Sequence, residues 1–71
     1  MFDLKAALAN VDGNHYDFSA LDDLLARIRR ENLADISPEV GTRELLMVAL
    51  QRNWISEDED GQFHVRLPKA A

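Results

Sequence analysis

Cysteine is absent from this sequence of 71 residues. The chain can therefore form no disulfide and no thiolate zinc site, so packing alone or a partner subunit must hold so small a domain together. Long apolar runs are absent too, since none reaches the roughly 18 residues of a membrane span. The segment Met1–Lys5 also lacks the basic-then-apolar order of a signal peptide. We therefore expect a soluble, cytoplasmic protein that does not bind membranes.

Positive charge is scarce, because 8 Lys and Arg stand against 13 Asp and Glu, giving a formal net charge of −5. Contacts to phosphate need clustered Lys and Arg, so this balance argues against nucleic-acid binding by bulk electrostatics. Apolar residues, in contrast, make up 46% of the chain, which is enough for one modest core. We expect one domain over residues 1–71, with 68–71 as a flexible tail.

Apolar residues that recur every three to four positions predict three helices. The first helix runs from Phe2 to about Asn10, and the second covers about Ala20–Glu31 with Asp17 or Ser19 as its N-cap. The third begins with Thr42 as its cap and ends at about Arg52. The side chains expected to be buried are Leu4, Ala7, Leu8 and Val11 in the first helix, Leu21, Leu24, Leu25 and Ile28 in the second, and Leu45, Leu46, Ala49 and Leu50 in the third.

The remaining segments predict β-structure. His15–Phe18 alternates weakly and is typical of a minimal strand. Asn53 stands where a left-handed residue is expected to end the third helix. Trp54–Leu67 predicts a hairpin that turns at Asp60–Gly61. The expected fold class is α+β, a small three-helix core with a C-terminal β-hairpin whose second strand presents Phe63, Val65 and Leu67.

The order of helix, acidic loop and strand resembles the end of a winged helix-turn-helix domain, and the resemblance covers about residues 15–67. It implies a three-helix core, a recognition helix and a two-stranded wing. It also implies a DNA-binding regulator, for which Arg43, Arg52 and Arg66 would be the contacts. The residues that carry the resemblance are Thr42, Leu45, Leu46, Ala49, Leu50, Trp54, Ile55, Gly61 and the strand Phe63–Leu67, with Tyr16–Phe18 in the place of the short first strand.

The exposed side of the third helix departs from that family. A helix in the major groove is expected to present Arg, Lys, Asn or Ser to the DNA. Here the helical wheel places Met47 and Val48 at the centre of the exposed side. One interpretation is that scattered apolar residues are normal on a surface. The other, which we favour, is an interface with a protein partner or a second copy, formed by Glu44, Met47, Val48, Gln51 and Trp54.

Four consecutive acids, Glu57–Asp60, stand at the tip of the predicted wing. They would repel phosphate at close range, which argues against DNA contacts from the wing. They are expected to keep the hairpin edge soluble and unpaired. The alternatives are docking on a basic partner surface, and an acidic surface that mimics nucleic acid and blocks a basic protein.

Motifs for catalysis or metal binding are missing from the sequence. No glycine-rich phosphate loop is present, and neither His15 nor His64 has a second ligand at the spacing of a zinc site. Arg27, Arg29 and Arg30 alternate with acids such as Asp23, which predicts a salt-bridged, solvated face. We therefore expect no enzyme activity, no catalytic residue, no metal, no cofactor and no small-molecule substrate.

Overall fold

A computed structural model describes residues 2–68 of the protein. The predicted α+β class is confirmed, with three α-helices and a three-stranded antiparallel sheet. Of the predicted tail, 69–71 lies outside the described residues. None of the described helices is long and apolar enough to cross a membrane. Along the chain the elements are α1 (Leu4–Ala9), β1 (His15–Tyr16), α2 (Phe18–Glu31), a 3₁₀ turn (Leu33–Asp35), α3 (Thr42–Gln51), β2 (Ile55–Glu57) and β3 (Phe63–Val65).

The sheet has the strand order β1-β3-β2, so the last strand of the chain lies in the middle. Ile55 of β2 pairs with Val65, and His15 of β1 pairs with His64. The Gly13 amide extends the β1 edge by donating to the Val65 carbonyl at 2.7 Å. The predicted hairpin is present, and the predicted minimal strand is present over His15–Tyr16 only, because Asp17 and Phe18 form the start of α2. β3 joins β1 and the hairpin into one sheet.

The core lies between the three helices and the inner face of the sheet. Its centre consists of side chains with almost no contact with water, namely Leu8, Leu21, Leu25, Ile55 and Val65. The apolar stripes predicted for α1 and α2 are confirmed, since Leu4, Leu24 and Ile28 are buried and Ala7 and Val11 are partly buried against them.

Leu50 was predicted to be buried, and this prediction is wrong because its side chain is 38% exposed. The buried side of α3 is centred between Leu45 and Ala49. Each residue advances the helix by about 100°, which puts Leu50 on the flank of α3 rather than over the core. Leu46, on the same flank but closer to the core, is half-buried.

The helix starts differ from the sequence prediction by one or two residues. Asp17 caps α2 by accepting a hydrogen bond from the Ala20 amide at 2.8 Å, so α2 begins at Phe18 rather than Ala20. Gly41, and not Thr42, is the N-cap of α3. The Gly41 amide donates to the Glu44 carboxylate at 3.1 Å, and no side chain at the N-cap accepts from the first turn of α3 as a threonine cap would.

The predicted solvated face of α2 is confirmed by the exposure of Arg27 and Arg30, but the salt bridges predicted on it are wrong. Among residues 2–68 the single ion pair joins His64 to Asp58, and Arg27 does not reach Asp23. Exposed pairs of this kind gain little, because solvent screening and side-chain entropy offset the attraction. Arg29 instead donates from Nε to the Val40 carbonyl at 2.7 Å, which ties the end of α2 to the loop before α3.

Candidate functional site

The outer side of α3 carries four exposed residues, which we call the α3 face: Glu44, Met47, Val48 and Gln51. Met47 is 51% exposed and Val48 is 40% exposed. All four side chains predicted from the helical wheel therefore stand on the solvent side of one helix. Two of them expose apolar surface at its centre, which is the chemistry of a surface that gains free energy by being covered.

Trp54 is placed beside this face by the way α3 ends. The Trp54 amide donates to the Ala49 carbonyl at 2.9 Å, and the Asn53 amide donates to the Leu50 carbonyl at 3.1 Å. Asn53 has φ of 60°, which confirms the predicted left-handed residue at this position. These two bonds form a Schellman motif. It turns the chain sharply, so that half-buried Trp54 lies directly between the end of α3 and the start of β2.

An open groove of about 490 Å³ adjoins the α3 face. Val48 belongs to both surfaces, so the α3 face and the groove form one continuous patch. Sequence reasoning missed the contribution of α1 to it, because no local pattern shows that the start of α1 approaches the end of α3. The residues that line the groove are Phe2, Asp3, Leu4, Leu45, Val48, Arg52 and Trp54.

Arg52 supplies a positive charge at the edge of the groove. Its guanidinium carbon lies 5.9 Å from the centre of the Trp54 ring, a cation–π distance. It forms no ion pair within residues 2–68. The Arg52 guanidinium therefore lies over an aromatic ring and can still form an ion pair with a carboxylate.

The three arginines proposed as DNA contacts do not share one face. Arg43 lies at the start of α3 beside Phe18 and Leu46. Arg52 is nine residues further, about 180° around the helix axis, so it points to the opposite side. Arg66 follows β3, where its amide donates to the Trp54 carbonyl at 2.9 Å. Trp54 is thus contacted by the Arg52 side chain and by the Arg66 backbone, whereas Arg43 lies apart from both.

The acidic tip of the hairpin is built around one of its own carboxylates. Asp58 accepts hydrogen bonds from the amides of Asp60 and Gln62, both at 2.9 Å, and contacts Nε2 of His64 at 2.6 Å. The His64 hydrogen bond, followed by the Gln62 amide, lowers the pKa of Asp58. Asp58 is therefore part of the loop structure, whereas the other three acids, Glu57, Glu59 and Asp60, are exposed.

The hairpin loop itself is longer than predicted. Asp58 donates its amide to the Gln62 carbonyl at 2.8 Å, which leaves a loop of three residues, Glu59 to Gly61. Gly61 takes φ of 78°, the left-handed conformation that closes such a loop. The turn is therefore one residue longer than the expected Asp60–Gly61 pair.

A close pair of imidazole rings, tilted by 37° to each other, adjoins the Asp58 carboxylate. The ring centres of His15 and His64 are 3.9 Å apart. Sequence reasoning treated these residues as separate, because only the β1–β3 register brings them together. No group of three or more His, Asp or Glu side chains within residues 2–68 is arranged to hold a metal ion.

Comparisons of this chain with protein-family models, curated proteins and solved structures found no significant match.

Proposed function

We propose that this protein is a small noncatalytic module of the winged-helix type that acts through protein–protein contacts, as a cytoplasmic regulator or adaptor. The contact surface is the α3 face together with Trp54. The observation that carries the proposal is the exposure of Met47 and Val48 beside an apolar groove. The order of helices followed by a C-terminal hairpin supports the winged-helix part, because it agrees with the core, recognition helix and wing that the resemblance implies.

Energetics favour a protein partner over DNA at this surface. Complete burial of a Met or Val side chain contributes roughly 1.5–3 kcal/mol. About half of each side chain is still exposed in Met47 and Val48, so covering both supplies about 2 kcal/mol. Phosphate would gain nothing from these side chains and would be repelled by Glu44.

Replacing Met47 and Val48 together by Asp tests the proposal. The double variant should lose partner binding or self-association, because two desolvated carboxylates would then have to enter the interface. Its helical content, measured by circular dichroism, should be retained since neither side chain belongs to the buried core. Leu33→Asp is the matched control, because Leu33 is 54% exposed and lies outside the α3 face and the groove. Association that survives the double change contradicts the proposal.

A DNA-binding regulator is the second candidate, favoured by two exposed arginines: Arg52, whose guanidinium lies over Trp54, and Arg66, whose backbone amide hydrogen-bonds Trp54. Three exposed acids at the hairpin tip oppose it. Electrophoretic mobility shift with random duplex DNA at low salt separates the candidates, because counterion release favours binding most strongly there. No shift under these conditions would exclude DNA binding by this surface.

A further inference from the structure

We propose that the α3 face binds a second copy of this chain, with the two α3 helices antiparallel about a two-fold axis beside Val48. The inference rests on the proposed function and specifies its partner. It follows from the order of charges along α3 and from the groups that each charge already contacts.

Glu44 and Val48 of α3 and Arg52, the residue that caps its C-terminus, are spaced by four positions and form a single ridge. The ridge is about 12 Å long, since each residue advances the helix by about 1.5 Å. It carries a negative charge at one end, an apolar side chain in the middle and a positive charge at the other end.

A two-fold axis at Val48 brings each Glu44 opposite the partner's Arg52, so two attractive pairs form around an apolar centre. A parallel pairing would bring like charges together instead. An isologous interface needs this self-complementarity, because both copies present the same surface. Each charge lies only about 6 Å along the helix from the centre, so the long side chains still meet when the two helix axes cross at the preferred angle of about 50°.

Both charges are available for such a contact. Arg52 has the Trp54 ring beside it and no ion pair within residues 2–68. Glu44 uses Oε2 to cap Gly41 at 3.1 Å, which leaves its other oxygen to accept from a guanidinium. Phe2 and Trp54, on the adjoining groove, extend the apolar area around each pair.

Charge reversal followed by mixing tests the proposal. In Glu44→Arg and in Arg52→Glu, both pairs become like-charge contacts, so the dimer dissociation constant should rise at least about tenfold at low ionic strength. A one-to-one mixture should form a heterodimer, because one surface then carries two positive charges and the other two negative charges. Sedimentation velocity over a concentration series measures all three samples.

Mixing the two charge-reversal variants shows whether weaker association comes from a lost contact or from a damaged fold. Either reversal puts an unfavourable charge at an end of α3, and an unfolded chain cannot be rescued by a second unfolded chain. Glu44→Gln is the matched control, because its amide oxygen still accepts from Gly41 while the charge is gone. It should weaken the dimer less than Glu44→Arg does, with unchanged circular dichroism.

The proposal is overturned if the wild-type chain is monomeric at millimolar concentration, if the single reversals associate as the wild type does, or if their mixture forms no heterodimer. A monomeric wild type that binds another protein through Met47 and Val48 would overturn the self-pairing and leave the proposed function standing. A dimer that is unaffected by the Met47 and Val48 double change would overturn both.

Discussion

Two leucines on α3, Leu45 and Leu50, test where the core ends and the exposed surface begins. Replacing each by Ala makes the same chemical change in the same helix, so helix propensity cancels between the variants. The two positions differ in burial, since Leu45 is 5% exposed and Leu50 is 38% exposed. The structure therefore predicts unequal losses of stability, whereas the apolar stripe read from the sequence predicts equal ones.

The magnitudes follow from the buried fractions. Leu→Ala removes hydrocarbon whose full burial is worth about 2.4 kcal/mol at ~0.8 kcal/mol per methylene. Leu45→Ala also leaves a cavity, so its cost should be about 3–4 kcal/mol. Leu50→Ala leaves no closed cavity and should cost about 1.5 kcal/mol. A domain of 71 residues has a total unfolding free energy of only about 4–10 kcal/mol, so the first change should bring it close to unfolding.

Urea unfolding followed by circular dichroism measures the difference. With a denaturant slope of about 1 kcal/mol per molar for so small a domain, the two midpoints should differ by about 2 M. Leu33→Ala is the control for the same substitution at an exposed position and should cost least of the three. Equal midpoints for Leu45→Ala and Leu50→Ala would refute the burial pattern of α3 and the position of the α3 face derived from it.

Two further predictions concern the ends of the hairpin. The folded pKa of Asp58 lies below its unfolded value, so its contribution to stability is complete above about pH 4 and is lost as the pH falls further. Thermal unfolding between pH 5 and pH 2 should therefore show a smaller acid sensitivity for Asp58→Asn than for the wild type, and parallel curves would contradict this. At left-handed Asn53, Ala should cost roughly 1 kcal/mol and Gly should not, and equal urea midpoints for the two variants would contradict the Schellman motif.

Local patterns predicted much of this fold. The stripes of α1 and α2 follow the helical period closely, and each helix packs on the core over one side only, so periodicity is enough to find Leu8, Leu21 and Leu25. The hairpin and the left-handed Asn53 depend on residues adjacent in sequence. Interactions between residues close in sequence determine these features, so they can be predicted from a single sequence.

Predictions failed where distant residues decide the outcome. Leu46 and Leu50 lie on the same flank of α3, and periodicity alone did not show that Leu46 is half-buried whereas Leu50 is 38% exposed. The groove forms only because Phe2 lies near Trp54, which is far away in the sequence. The contact between the His15 and His64 rings depends on the β1–β3 register. The helical wheel was enough to predict the exposed residues of α3. It could not show that they form one continuous surface with the groove.

The central claim is that this protein makes its contacts through the α3 face, and a map of backbone amide chemical shifts tests it most directly. Spectra of the wild-type chain are recorded from micromolar to millimolar concentration. We predict that the amides that shift with concentration cluster at Glu44, Met47, Val48, Arg52 and Trp54. Unchanged spectra would contradict pairing between copies, and shifts that cluster on the hairpin tip or on α2 would contradict the claim itself.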